Sequence, residues 1–168
     1  SFNALSHFYN SYLLDSDFEA NSDEDRFVTH HLYGGDNENR LKQEMLLGLG
    51  GIRALKKLGY EMDIYHCNEG HAAMIGLERM ADLVSEKRLL FAEAKEIVRA
   101  STLFTTHTPV PAGDDSFYQD MFRDYMQKFT ARLGVSWDEF CNLGKANEYE
   151  DHFNMSYLAC NLSQGING

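Results

Sequence analysis

Only two prolines occur in 168 residues, Pro109 and Pro111, and they fall in one place. Cysteine is nearly as scarce. Cys67, Cys141 and Cys160 are an odd number without CxxC spacing, which reads as reduced thiols in a cytoplasmic protein and argues against a cysteine-built zinc site. No apolar run approaches the ~20 residues that span a bilayer. No basic region followed by an apolar stretch opens the chain, so no signal peptide is expected. There is no internal repeat and no low-complexity segment. P-loop, GxGxxG, GxSxG and Cys/His nucleophile patterns are missing as well. No basic stripe exists for nucleic acid, and a net charge of −11 repels both nucleic acid and anionic membranes.

What remains is enough for a globular fold. Hydrophobic residues make up 43% of the chain and aromatics 12%, which argues against disorder. A chain of this size buries roughly 70% of the surface its unfolded form exposes. Tyr12-Leu13-Leu14 reads as a short buried strand, and Asp23-Glu24-Asp25 as the acidic start of a short helix. Leu32 to Asn37 is a loop by chemistry, with the Gly34-Gly35 pair supplying left-handed backbone. From Arg40, Leu41, Met45, Leu49, Ile52 and Leu55 mark one helical face, with Lys42, Glu44, Lys56 and Lys57 mostly off it. Gly48, Gly50 and Gly51 interrupt this helix and point to a close approach of another backbone. Gly59 is its stop.

Met62 to His66 is a strand candidate, followed after Gly70 by a helix over 71–86 with Met74, Leu77, Met80, Ala81 and Val84 inward. A second helix carries Phe91, Ala94, Ile97 and Val98. Ser101 to Thr106 is β-rich. Tyr118 to Leu133 is helical again. Ser136 and Glu139 form a capping box, and Asn154 caps a last helix that ends near Gly165. Strands alternating with helices predict an α/β domain over 1–168, with a parallel sheet and crossover helices.

Ligands bind such sheets outside the carboxyl ends of their strands. Three stretches qualify. Cys67-Asn68-Glu69-Gly70-His71 links a strand to a helix. There His66, Glu69 and His71 could form a metal-dependent hydrolase site, although HxxExH is neither HExxH nor HxxEH spacing. A capped turn with one buried histidine is the plainer alternative, with His66 and Cys67 as the buried end of the strand. Thr105 to Asp115 places hydroxyls and His107 at a strand end, stiffened by its prolines. Leu32 to Arg40 sets Asp36, Asn37 and Arg40 around a Gly-Gly hinge fit for a gate, or for a plain solvated loop. The chemistry suits a neutral polyhydroxy ligand better than a phosphate.

In this order the stretches SYLLDSDFEANSDEDR, LYGGDNENRLKQE, HCNEGHAAMIGLERM, FTTHTPVPAGDDSF and FNMSYLACNLSQGING resemble α-glucan (glycogen or maltodextrin) phosphorylases, in a bacterial or archaeal style. The resemblance implies a Rossmann-like part of the N-terminal domain of a glycosyltransferase-B architecture. It implies cleavage of α-1,4-glucan with inorganic phosphate to glucose 1-phosphate, with pyridoxal phosphate as cofactor. The family's cofactor lysine lies in a C-terminal domain beyond this chain. The expectation is therefore an internal piece without bound cofactor, inactive alone, with self-association through exposed sheet edges.

The resemblance also assigns roles. His107 and Asp36 stand at the catalytic positions, His107 touching the transferred glucosyl unit and Asp36 in the gate loop. Glu69, His71, Asn68, Thr108, Asn37 and Arg40 stand at substrate-binding positions, and no metal is implied. Two departures stand out: Asp114 replaces the branch's usual histidine, and the opening SFNALSHFYN leaves the family pattern. A free-standing sugar-binding module is the non-catalytic alternative.

Overall fold

The computed structural model describes residues 10–32, 34–107, 115–147 and 150–168. Their elements run α1 (Asp23–Arg26), α2 (Asn37–Met45), α3 (Gly51–Lys57), β1 (Tyr65–Asn68), α4 (Met74–Lys87), α5 (Phe91–Ala100), β2 (Thr102–Thr105), β3 (Ser116–Tyr118), α6 (Gln119–Met126), α7 (Thr130–Leu133), α8 (Trp137–Cys141), β4 (His152–Asn154), α9 (Met155–Asn161) and β5 (Gly165–Asn167). The fold is α/β, as expected. Strands β1, β2 and β5 form a parallel sheet with β2 central, in register Cys67–Phe104–Ile166. The β1-to-β2 crossover runs through α4 and α5. A second, two-stranded sheet pairs β3 with β4 antiparallel.

Most helix signals are met where the chemistry demands them. The Ser136 hydroxyl accepts from the Glu139 N–H, and the Asn154 side chain accepts from the Tyr157 N–H. Each satisfies an orphan donor of a helix start. α4 buries Met74, Leu77, Met80 and Ala81 but leaves Val84 half-covered. Gly48 does allow a close approach: a Cβ there would lie 2.5 Å from Met74 Cβ and 3.0 Å from the Ile75 N. A wide, π-type turn over Leu46–Gly50 joins α2 to α3 at that point. One buried cluster joins both sheets. Phe122 and Phe153 stack 4.1 Å apart at its centre, with Phe117, Phe140 and Trp137 around them.

Five expectations need correction. Tyr12-Leu13-Leu14 forms no strand, and Tyr12 and Leu13 are exposed. β1 begins at Tyr65 because its first backbone partner is the Ser101 carbonyl; Met62 and Ile64 precede the ladder, and Ile64 is 74% exposed. His66 is exposed, because β1 is an edge strand whose alternate residues face opposite sides. Glu44 is 1% exposed rather than off the inner face, drawn in beside Arg40 four residues earlier. The last helix ends at Asn161, and Gly165 opens β5.

Candidate functional site

Parallel pairing brings the carboxyl ends of β1 and β2 to one edge, with Asn68 opposite Thr105. The ladder continues one step further, through the Glu69 N–H to the Thr105 carbonyl at 2.8 Å. There the backbone leaves the strand sharply. Glu69 has φ 67° and ψ 170°, a region that glycine normally monopolises, at a cost on the order of 1–3 kcal/mol. The Glu69 carboxylate reaches across to the residues after β2. It accepts from the His107 backbone N–H at 2.5 Å and from the Thr106 hydroxyl at 3.2 Å. The ring of His107 is held too, its Nε2 lying 3.1 Å from Asn68 Oδ1. Asn68 Oδ1 can only accept, so Nε2 carries the proton.

The next turn is fixed by packing. A Cβ at Gly70 would meet the Ser156 N at 3.1 Å and the Met155 carbonyl carbon at 3.2 Å, so the start of α9 lies directly on it. His71 follows, half-buried. Burial pulls its pKa below the ordinary histidine value, and the Arg40 charge adds to that, against opposing pulls from Asp115 and Glu69. At neutral pH its ring is uncharged. Arg40 is anchored by Asp115 at 2.6 Å and Glu44 at 3.4 Å. Arg40 and His71 share the wall of a mainly apolar cleft of 420 Å³ with Tyr12, Leu14, Leu32 and Leu47.

The predicted residues among those described thus fall into two joined groups and two outliers, Asp36 and Asn37. Asn68, Glu69 and His107 meet directly. His71 and Arg40 lie beside them. Asp36 does not join: its Oδ1 accepts from the Asn39 N–H at 2.9 Å as the cap of α2, behind the left-handed Gly35. It lines a separate groove with Glu24, Phe27 and Lys42. Asn37 is exposed at the first position of α2. Thr108 and Asp114 lie outside the described residues.

The metal alternative loses its geometry. His66 Nε2 turns to Thr105 Oγ1 at 2.8 Å, while Glu69 is engaged with His107 and Thr106. Among the described residues no group of three His, Cys, Asp or Glu side chains gathers for an ion. Cys67 offers no nucleophile, since burial pushes its thiol up to about 11.

Five participants were given no individual role from the sequence, although three of them, Thr105, Thr106 and Asp115, lie within the stretch singled out there. Asp115 pairs with Arg40 across 75 positions. Thr106 binds Glu69. Thr105 links His66 to Asn167 by side-chain hydrogen bonds. The spacing of Arg40 and Glu44 could have revealed Glu44, but a lone acid such as Asp115 carries no local signal.

No family model matches the chain. Individual proteins do. The chain is 44% identical to the maltodextrin phosphorylase of Thermococcus litoralis, over 93% of this chain and 18% of that protein. It is 44% identical to the glycogen phosphorylase of Mycobacterium tuberculosis over 93% of this chain and 19% of that one. The glycogen phosphorylase of Aquifex aeolicus is 29% identical over the same share of this chain. This chain is thus similar to glycogen and maltodextrin phosphorylases along nearly all its length, and it spans about a fifth of the length of these proteins.

Proposed function

We propose, with that similarity as premise, that the chain supplies one wall of the glucosyl pocket of an α-glucan phosphorylase, within the N-terminal domain of a glycosyltransferase-B architecture. The parent enzyme cleaves α-1,4-glucan with inorganic phosphate to give glucose 1-phosphate. The observation that carries the reading is the meeting of Asn68, Glu69 and His107 at the carboxyl edge of β1 and β2. It is there that a parallel α/β sheet takes its ligand. His107 stands against the glucosyl unit, with Thr108 next to it. His71, uncharged and beside Arg40, offers a ring hydrogen bond rather than a proton. Asp36, the cap of α2, and Asn37, its first residue, stand where the gate loop meets the helix that carries Arg40, just after the Gly35 hinge. Closing such a gate excludes water, so that phosphate attacks instead.

In this family pyridoxal phosphate supplies a phosphate group to the reaction. The residues present do not fit it. None of the chain's seven lysines is buried, and Lys42 and Lys56 are held in ion pairs. Cofactor and phosphate sites belong to other parts of the longer enzyme, and the 168-residue chain alone is inactive. Three cysteines without CxxC spacing agree with a cytoplasmic setting. Among the described residues no helix is long and apolar enough to cross a membrane. Outer edges of β1 and β5, unpaired among the described residues, support homo-association.

Titration of the ¹⁵N-labelled chain with maltoheptaose at millimolar concentration tests the reading. Expected are weak-binding shifts confined to Asn68, Glu69, His71, His107 and their neighbours. Shifts centred elsewhere, or none at saturating sugar, would sink it. Release of glucose 1-phosphate by the chain alone would defeat the inactive-segment part.

A further inference from the structure

We propose that Glu69 is a positioning residue, which acts on a ligand only through His107 and forms with Asn68 a two-point mount for that histidine. The ligand belongs to the sugar-pocket reading above, and the proposal rests on that reading for its purpose but not for its geometry.

Successive side chains of a strand point to opposite faces. Asn68 is the last residue of β1 and Glu69 the next, so regular backbone would send their side chains apart. Yet both end on one residue: Glu69 on the His107 N–H, Asn68 on the His107 ring. The backbone of Glu69, at φ 67° and ψ 170°, is what breaks the alternation. A non-glycine residue persists in that region only where its surroundings over-determine it. Here the carboxylate does so, through a charge-assisted bond to a main-chain donor and a second bond to Thr106.

Sheet pairing does not require this arrangement. β1 and β2 are already in register through four residue pairs, and the Glu69 N–H extends the ladder on its own. Nor does core packing require it. His107 is exposed, and an exposed hydrogen bond to its ring adds little stability. What the two bonds do accomplish is to fix both the backbone position and the ring tautomer of one solvent-facing histidine. Nε2 is the donor toward Asn68.

The test needs no sugar. In the ¹⁵N-labelled 168-residue chain, amide exchange at His107 and the ¹⁵N shifts of its ring are read for wild type, Glu69→Gly, Glu69→Gln and Asn68→Ala. Glycine suits the positive φ, so Glu69→Gly is expected to fold as stably as wild type or more so, yet to exchange the His107 amide at least tenfold faster. Glu69→Gln keeps an acceptor oxygen and is expected to restore part of the protection. Asn68→Ala is expected to convert the ring from one Nε2–H tautomer to a mixture. Wild-type exchange at His107 in both Glu69 variants, or an unchanged ring pattern in Asn68→Ala, would overturn the proposal. Glu69→Gln carries the exchange arm if the glycine variant does not fold. The maltoheptaose titration of wild type decides the sugar reading separately, so the two can fail independently.

Discussion

One face of the three-stranded sheet carries Tyr65, Cys67, Thr102 and Phe104; the other carries His66, Asn68, Leu103, Thr105 and Asn167. The first is covered by the crossover along β1 and β2, while Ile166 of β5 on the same face stays exposed. Cys67 and Phe104 are 2% and 1% exposed, and the Arg79 guanidinium of α4 lies 3.7 Å over the Tyr65 ring and donates to Thr102 at 2.7 Å. On the second face His66, Asn68 and Asn167 are exposed, and their polar groups run toward the edge where Glu69 and His107 meet. Each strand contributes alternate residues to both. The covered face sets where the strand ends lie, and the open face supplies the groups that recognition needs.

The comparison is broken most directly by a pair of adjacent substitutions. Phe104→Ala empties the covered face and is expected to cost about 3–5 kcal/mol. Leu103→Ala, half-buried on the open face, is expected to cost less than half of that. Urea unfolding of both would reject the contrast if the losses were equal.

Next in size is the support behind the covered face. Glu78 of α4, 2% exposed, takes paired hydrogen bonds from Arg53 and from Arg132. Burial alone would raise its carboxyl pKa, but the two arginines more than reverse this and hold it below its ordinary value near 4.5. The folded value is the lower one, so the stabilisation is whole above pH ~4.5 and fades as pH falls through the folded pKa. Glu78→Gln is expected to cost roughly 2 kcal/mol at pH 7, short of a fully buried pair because Arg53 reaches solvent. It should also flatten the acid limb of stability below pH ~4.5; an acid limb of wild-type slope would count against this account.

Away from both faces, Asp36→Ala removes the cap of α2 and is expected to cost about 1 kcal/mol. A loss near zero in thermal unfolding would free Asp36 from its structural duty. The smallest effect belongs to the open face. Thr105→Val cuts the link between His66 and Asn167, both of which can turn to water, and should cost only about 0.5 kcal/mol. A loss several times larger would mean that this face is part of the core.

The same contrast explains what could be read in advance. Signals spread over several turns survive in the sequence: the apolar face of α4, the caps at Ser136 and Asn154, and the glycine at 48 that admits Met74. β3, β4 and β5 have three residues each, too few for a period-two pattern to form. The order of the chemical stretches placed Asn68, Glu69 and His107 at strand ends correctly. The backbone of Glu69 and the pairing of Arg40 with Asp115 are products of tertiary closure, and no neighbouring residue announces either.

β5 joins β2 across a gap of 62 residues between Thr105 and Asn167. A growing chain emerges at ~5–20 residues per second, so the outer edge of β2 waits on the order of 3–12 s before its last partner exists. Throughout that interval β1 and its crossover helices are available to fold, while β2 still offers a bare edge to the cell. The mount around His107 can be built early. The Thr105–Asn167 link, and with it the finished polar face, has to wait until Asn167 has emerged.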